Sequence, residues 1–491
     1  MLPNLDSVSW RDYLGASTEP GDVACVTSPG DVAELNKALT AGDDINNPGT
    51  AAGEGFPLRV ESLDATLFTT TFAAKDIKFW KALAKDAAYN TVEEYNRLEA
   101  YGSTDAVFMG EGDLAEEDDS TYSRNYTKIK FLGTTRRVTH VMSVIKAAHG
   151  NAVARETVNG TLHILRQLER ALFTGDESLV SIQFDGLEKL LTSAWGNTAL
   201  DDGQLSGWED EVNVIDMRGQ PMSEDYITDM TERLIAEPNY GAPSDLWMDT
   251  GIAKDLSKIL YPKERTTIGA KGKAGVAINA IVTPFGEIDF NSSIMIPRST
   301  IPVAAGIGRA TARPLTPTIA APTSPAYAGA NTTFWTAADA GTYIYKVVAG
   351  SRYGKSAPAL SAAVVVSAAD QVSLAVTDNG PNTSYYEVYR SDINGTAASC
   401  RLILRIPRTA AVQTLVDVNR FLPDTGRAYM LSQQADVLKW KQLAPFTKIP
   451  LAIVDSSVRW MQILYGALQI MKPLQNGIFV NVGKLPTGAE A

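Results

Sequence analysis

One segment, Asn151 to Asp176 (NAVARETVNGTLHILRQLERALFTGD), constrains the fold of this chain more than any other. Ala154, Val158, Leu162, Leu165, Leu168 and Leu172 recur at steps of four and three, which places them on one face of an α-helix. Asn151 is positioned to cap the start through its side-chain oxygen, and Gly175 stands where a left-handed C-terminal residue is favoured. From Asn151 to Thr174 such a helix runs roughly 36 Å at 1.5 Å per residue, which is long for a globular protein. Its other face carries Arg155, Glu156, Arg166, Glu169 and Arg170, a two-signed surface suited to water or to neighbouring subunits. Gly160 interrupts the helix at about 1 kcal/mol relative to Ala, which a close backbone contact would offset.

A chain of 491 residues exceeds one ordinary core and predicts two to four domains. With 45% hydrophobic and 20% charged residues, its composition is that of a globular protein and not of a disordered one. No apolar run approaches the roughly 20 residues that span a bilayer, so no membrane partner is expected. The stretch MLPNLDSVSWRDYLG lacks the cationic start and apolar block of a secretion signal. Cys25 and Cys400, the only cysteines, do not make a disulfide framework and fit a reducing compartment such as the cytoplasm. A net charge of −12 argues against coating nucleic acid electrostatically, because that needs clustered Lys and Arg. An acidic surface is compatible with enclosing DNA without adhering to it.

Residues 1–60 read as an extended arm around the loop-forming Ala41–Gly55, with a short helix expected at Val32–Leu39 behind a capping Asp31. From Phe72 to Leu98 the spacing turns helical in places, through Ile77, Trp80, Leu83 and Ala84 and then Val92, Tyr95 and Leu98. Next comes an acidic run, Glu111, Asp113, Glu116, Glu117, Asp118 and Asp119. A strand pattern follows, with Tyr126, Lys128, Lys130 and Leu132 on one side and Thr127, Ile129 and Phe131 on the other. Arg136, Arg137 and His140 complete the segment. The acidic run lacks the spaced carboxylates, glycine turn and terminal Glu of a calcium loop, so no metal is expected there.

Beyond the long helix, Met222–Ala236 predicts a helix capped by Ser223, Asp245–Met248 a strand, and Ile252–Leu260 a second helix. The basic, glycine-rich Lys263–Gly275 lacks P-loop spacing and reads as a surface loop. Ile278–Pro297 reads as two strands joined by a turn at Pro284–Phe285–Gly286. Composition then shifts. Arg313–Ala330 is proline-rich and linker-like. It opens a series of short β runs: Tyr343–Val348, Ala363–Val366, Val372–Val376, Tyr385–Tyr389 and Leu402–Ile406. That spacing predicts a small β-sandwich. GTYIYKVVAGSRYGKSAPA, SYYEVYRSDING and Asp417 resemble a fibronectin type III or immunoglobulin-like module. Tyr353, Tyr385 and Tyr386 are its candidate sugar-binding aromatics, although strand tyrosines more often pack inward. After Leu422–Gly426 the mixed character returns in Val437–Leu443, Leu451–Val454, Trp460–Gly466 and Gly477–Val482, read as strands or short helices. The sandwich therefore looks inserted into a host domain.

Four stretches, in order, resemble the major capsid proteins of tailed bacteriophages, the Hong Kong 97-like family. Glu111–Gly112, the acidic run and TKIKFLGTTRRVTHVM resemble the family's E-loop hairpin and its return to the body. LERALFTGD resembles the end of the spine helix, and FDGLEKLL the segment after it. TPFGEIDFNSSIMIP, with VRWMQILYGALQIMKPLQNGIFVNV, resembles the paired strands of the axial domain. The resemblance implies an α+β, Hong Kong 97-like capsid fold carrying an inserted all-β sandwich. Its parts are an N-terminal arm (1–60), the E-loop and adjoining elements (61–148), the spine helix and peripheral domain (149–220), and a first axial half (221–305). The immunoglobulin- or fibronectin-like sandwich (306–425) and a second axial half returning to the peripheral domain (426–491) complete it.

The implied function is structural. Copies form hexamers and pentamers of an icosahedral shell around a double-stranded DNA genome, bound without sequence specificity, in a virion assembled in the host cytoplasm. Implied partners are further copies, portal, scaffolding and decoration proteins, with a separate scaffold because residues 1–60 are too short for a built-in one. The insertion is expected to project outward, toward a host surface or neighbouring subunits. Extended elements bury little in a monomer and gain area between subunits. Glu116, Glu117, Asp118 and Asp119 are accordingly expected to meet Arg or Lys of an adjacent subunit, among them Arg136, Arg137 or Arg155, and Arg166 and Arg170 are expected contacts on the helix's charged face, which meets neighbours or the lumen. No catalytic residue, metal or cofactor is expected. His140, His149 and His163 have no metal-ligand spacing, and the chain has no G-x-S-x-G, H-E-x-x-H or dinucleotide-binding glycine signature. The rival class, a bacterial surface adhesin using the sandwich, conflicts with the absent signal and the long helix.

Overall fold

In the computed structural model, the expected helix forms at Ala152–Thr174. The residues described are 71, 73–102, 108–109, 111–112, 114, 117–145, 150–192, 213–237, 239–260, 278–327, 333–452 and 454–485. The expectations for 1–60, Glu116 and Lys263–Gly275 lie outside them. Asn151 caps the helix as expected, its Oδ1 accepting from the backbone N–H of Val153 at 2.8 Å and Ala154 at 3.3 Å. Burial concentrates in the C-terminal half, at Ile164, Leu168, Ala171, Leu172 and Phe173. The N-terminal half departs from the expected stripe, for Val158 is 58% exposed. There a polar seat replaces the apolar one: Gln462 Nε2 donates to the Thr157 carbonyl at 2.8 Å. A Cβ on Gly160 would collide with the Gln462 side-chain oxygen. The approach that Gly160 permits is therefore by a side chain and not by backbone.

Gly175 is also corrected. Its φ of −63° and ψ of 142° are extended, not left-handed. Space requires the glycine: a Cβ would strike the Phe184 carbonyl oxygen and lie 2.6 Å from that of Ala171. Gly175→Ala is expected to destabilise the protein by about 1–3 kcal/mol through backbone overpacking. A lowered urea midpoint with an unchanged slope would register it; an unchanged midpoint would refute it.

The helix packs on a four-stranded sheet ordered Ala84–Ala87, Leu438–Pro450, Ser457–Ile470 and Lys130–Thr139. Trp440, Leu464 and Leu468 of that sheet share a core with Leu168, Leu172 and Phe173 of the helix. A six-stranded sheet stands beside it, ordered Val214–Asp216, Gly477–Val482, Gly426–Leu431, Asp245–Met248, Gly286–Ser292 and Ala280–Thr283. Strand alternation sends Trp247, Tyr429, Ile478 and Val480 toward the long helix's core. Leu246, Met248, Met430 and Phe479 point the other way, against the helices Glu224–Ile235 and Thr250–Leu260. A two-sided burial of this kind explains why these strands read as continuous apolar runs.

Three expectations fail locally. Val92, Tyr95 and Leu98 lie on a strand, Val92–Ala100, paired antiparallel with Thr121–Lys128. In a strand a three-residue step alternates faces, so Val92 and Leu98 are exposed while Tyr95 turns to the body, and cross-strand pairing overrides the helical spacing. Of the helical spacing before that strand, the described residues form the 3-10 turn Ala74–Asp76 and the single α-turn Phe79–Ala82. The strand expected through Tyr126–Leu132 breaks at buried Ile129, where the chain leaves the hairpin and enters the four-stranded sheet. The expected axial pairing is split as well. Ala280–Thr283 and Gly286–Ser292 share the six-stranded sheet with Gly477–Val482, as expected, whereas Ser457–Ile470 lies in the four-stranded one.

Between Ile307 and Asp417 the described residues build β-structure on a core of their own. A sheet centred on Tyr345–Ser351 and Tyr385–Arg390, a sheet of Thr318–Ile319, Val372–Thr377 and Val412–Asp417, and the pair Gly341–Tyr343 with Val364–Val366 contribute to it. Trp335, Tyr345, Val347, Leu374, Tyr386, Val388 and Leu415 share this cluster. The linker-like stretch is partly structural, because Thr318–Ile319 pairs with Val376–Thr377. Tyr386 is fully buried, and Tyr353 and Tyr385 are half-buried, so the tyrosines pack inward more than they present a sugar platform. On both sides of this segment the chain contributes strands to the same six-stranded sheet.

Candidate assembly interface

The hairpin Val92–Ala100 with Thr121–Lys128 has two unlike faces. Val92, Glu94, Asn96 and Leu98 stand opposite Lys128, Tyr126, Arg124 and Tyr122, and all eight are exposed. Tyr122 and Tyr126 are 70% and 62% exposed, an unusual placing for aromatics on a strand unless something covers them. The other face turns to the body, where the Tyr95 hydroxyl donates to the Ile470 carbonyl at 3.0 Å. Lys128 and Lys130 clamp the base by donating to Glu177 at 3.2 and 2.9 Å, and Lys130 also reaches the Ser181 carbonyl at 2.7 Å. Burial pushes the Glu177 carboxyl up, and the bonds from Lys130 and Lys128 outweigh it, leaving it below its ordinary value. A two-stranded hairpin is marginal alone, so this clamp defines where it departs from the body.

The predicted contact residues divide into three groups. Glu117, Asp118 and Asp119 are exposed before the second hairpin strand, with Asp118 folded over Gly102. Arg136 and Arg137 are engaged within the subunit, Arg136 with Glu156 at 3.4 Å and Arg137 with Asp455 at 2.7 Å. Arg155 is half-buried beside them, lining a small cleft with Arg137, Met142 and Glu156. Arg166 and Arg170 are exposed further along the helix. Their neighbour His163 is held below its ordinary value by burial and then by Arg136 and Arg166, so it favours the neutral form.

Glu169 does not belong to the solvent face where periodicity places it. It is fully buried. Its carboxylate accepts from the backbone N–H groups of Lys78, Phe79 and Trp80 at 3.2, 2.8 and 3.0 Å. It thereby holds the turn that carries Phe79, whose ring packs 4.9 Å from Phe173 and 5.0 Å from Trp247. Helical spacing alone cannot distinguish such an acid from a solvated one. Among the described residues no group of three or more His, Cys, Asp or Glu side chains is arranged to hold a metal, and no helix is long and apolar enough to cross a membrane.

Comparison with known proteins adds a sequence-level relation. A family model described as SU10 major capsid protein matches residues 44–317. The putative major capsid protein of Enterococcus phage phiEF24C is 25% identical over 481 residues, covering 93% of this chain and 96% of that protein. The major capsid protein of Staphylococcus phage K is 23% identical over 435 residues, covering 85% and 88%. Among solved structures, the capsid of the native GTA particle aligns over 89% of this chain and 99% of its own, at 8% identity and a TM-score of 0.47.

Proposed function

Because the chain belongs to the SU10 major capsid protein family and is thus a structural component of a phage capsid shell, we propose that its copies assemble as hexamers and pentamers of an icosahedral lattice with Hong Kong 97-like organisation. The hairpin acts as the E-loop, lying across a neighbouring subunit, and the long helix acts as the spine. One observation carries this reading most directly: a hairpin face of eight exposed residues, aromatics among them, on a two-stranded sheet that no third strand joins among the described residues. Covering that face with a second copy buries apolar area in every contact of a closed, repeating assembly.

The all-β segment is an immunoglobulin- or fibronectin-like insertion that projects from the outer surface. Its separate core and the shared six-stranded sheet on either side of it support this reading. Assembly takes place in the host cytoplasm with portal and scaffolding proteins, and decoration proteins join the finished shell. The enclosed genome is double-stranded DNA, held without sequence-specific contacts, as a net charge of −12 favours.

Electron imaging of the purified chain, expressed with its scaffold, tests the reading. Closed shells with six- and five-fold clusters are expected, and a persistent monomer would overturn it. Reversing Asp118 and Asp119 to Lys is expected to lower particle yield about tenfold, since like-charge juxtaposition at an interface is strongly unfavourable. The subunit should remain folded by circular dichroism. Undiminished yield would remove the acidic tip from the interface.

A further inference from the structure

The turns at Ala74–Asp76 and Phe79–Ala82 lie against the six-stranded sheet, where the Phe79 ring meets that of Trp247. An open groove of about 740 Å³ runs between them. One wall carries Lys75, Lys78 and Lys81, three exposed cations at three-residue steps. Glu169 holds that wall in place through its bonds to the backbone of Lys78, Phe79 and Trp80. The sheet supplies the other wall, with Asp245 and Asp289 side by side in the parallel pairing of their strands.

Two donors on this groove lack acceptors. Trp247 is only 2% exposed, and its indole Nε1 has no hydrogen-bond partner among the described residues. Gln433 Nε2 is buried at the same groove, also without a partner. An indole N–H can only donate, and leaving a buried donor unmatched costs about 1–3 kcal/mol. The lysines can only donate as well. Lys78 reaches the Ser292 carbonyl at 2.8 Å and Lys81 the Ala74 carbonyl at 2.7 Å, neutral acceptors that leave the ammonium charges for an anion. Glu169 feels Lys81 electrostatically, but it is fully buried and its oxygens are committed to backbone N–H groups. Asp245 takes the Ser244 hydroxyl at 2.6 Å and the Asn291 amide at 2.7 Å.

We infer that this groove binds an acidic peptide segment of a partner protein. The segment's carboxylates meet Lys75, Lys78 and Lys81, and its carbonyl oxygens accept from Trp247 Nε1 and Gln433 Nε2. A nucleic-acid strand fits less well, because Asp245 and Asp289 oppose its phosphates, whereas a peptide offers them N–H groups. On a chain of net charge −12, a local row of cations also marks where an acidic partner can approach. None of the eight exposed hairpin residues lines the groove. The subunit therefore carries a receptor for a second protein that is separate from the hairpin face.

Selection from a random-peptide library on the folded full-length chain tests this, with K75Q/K81Q in excess as a decoy to remove binders of other surfaces. The enriched sequences are expected to be rich in Asp and Glu. A synthetic copy of the strongest should bind K75Q/K81Q about tenfold more weakly than wild type, the sum of two modest ion pairs. Both lysines are exposed, so the variant should keep the wild-type circular dichroism and unfolding midpoint. In NMR spectra of tryptophan-labelled protein, the peptide should shift the indole N–H resonance that W247F removes, the signature of a new acceptor at Nε1. A library that fails to enrich, enrichment of neutral or basic sequences, or an unmoved Trp247 resonance would overturn the site. An oligothymidylate that binds more tightly than the peptide, with the same dependence on Lys75 and Lys81, would overturn it in favour of a phosphate site. None of these outcomes depends on shell formation, so the shell reading stands or falls separately.

Discussion

Asp417→Ala is expected to unfold the all-β segment while leaving the six-stranded sheet protected. Asp417 Oδ2 receives Arg390 Nη1 at 2.7 Å and the Tyr345 hydroxyl at 2.9 Å, and Oδ1 receives the Asn419 backbone N–H at 2.9 Å. The two side chains of the ion pair are only 2% and 6% exposed. The Arg390 guanidinium also stacks 4.8 Å from the Trp335 ring and 5.5 Å from that of Tyr343, and Nη2 donates to Asn419 Oδ1 at 2.7 Å. Removing the carboxylate leaves a guanidinium in the module's core without its anion, an error that costs about 3–5 kcal/mol in buried pairs. Replacing both partners with apolar residues, R390M/D417L, should cost less than the single change, because no charge is then stranded. Hydrogen exchange provides the readout. Amides of Tyr345–Ser351 and Tyr385–Arg390 should lose protection first in the single variant. Uniform exchange across the chain, or a double variant worse than the single one, would contradict the account.

The second large effect is expected at Glu169→Gln. The substitution keeps the side chain's shape but turns one acceptor into a donor facing backbone N–H groups. At least one of the three bonds from Lys78, Phe79 and Trp80 is then lost inside the core. Charge-assisted bonds of this kind, with a donor left unsatisfied, amount to about 3 kcal/mol. Phe79 should loosen from Phe173 and Trp247, and the amides of Lys78–Trp80 should exchange faster. The pH dependence has a definite sign. Burial raises the Glu169 carboxyl above its ordinary 4.5, against the pull of the three N–H bonds. The folded state therefore binds this proton more tightly than the unfolded state, and the group's stabilising contribution is complete below pH 4.5 and declines as pH rises through the raised value. Glutamine does not titrate. The stability gap between wild type and E169Q should accordingly narrow from acid toward neutral pH, and a gap that widens would show that the three N–H bonds outweigh burial and hold the Glu169 carboxyl below its ordinary value.

Glu169 also marks the limit of what periodicity can say. On a helical wheel it falls with Arg166 and Arg170, and nothing local separates it from them. Its burial comes from a segment some ninety residues earlier, whose backbone donors happen to meet it. The same holds for Gly160 and Gly175. Both are visible as glycines in or beside a helix, but the groups that demand them, Gln462 and the Phe184 carbonyl, arrive through the fold. The strand Val92–Ala100 departs from its helical spacing for a related reason, since its partner begins at Thr121 and that pairing outweighs the local pattern. Among the candidate contacts, charge and position were readable, while availability was not. Arg136 and Arg137 look as free as Arg166 in sequence, yet Glu156 and Asp455 hold them.

Short-range chemistry was therefore determined by the sequence itself. It set the long helix and its Asn151 cap, the Asp245–Met248 strand, the Pro284–Phe285–Gly286 turn, the run of short strands after residue 340, and the order of elements that points to a shell protein. Each depends on residues within a few positions of one another, where spacing, capping and turn propensity act directly. Tertiary structure alone decided which strands share a sheet, which charges are already paired, and which glycines have no room for a side chain. Those outcomes depend on contacts beyond a local window, from Phe184 near Gly175 to Gln462 against Gly160, whose energies no local pattern encodes.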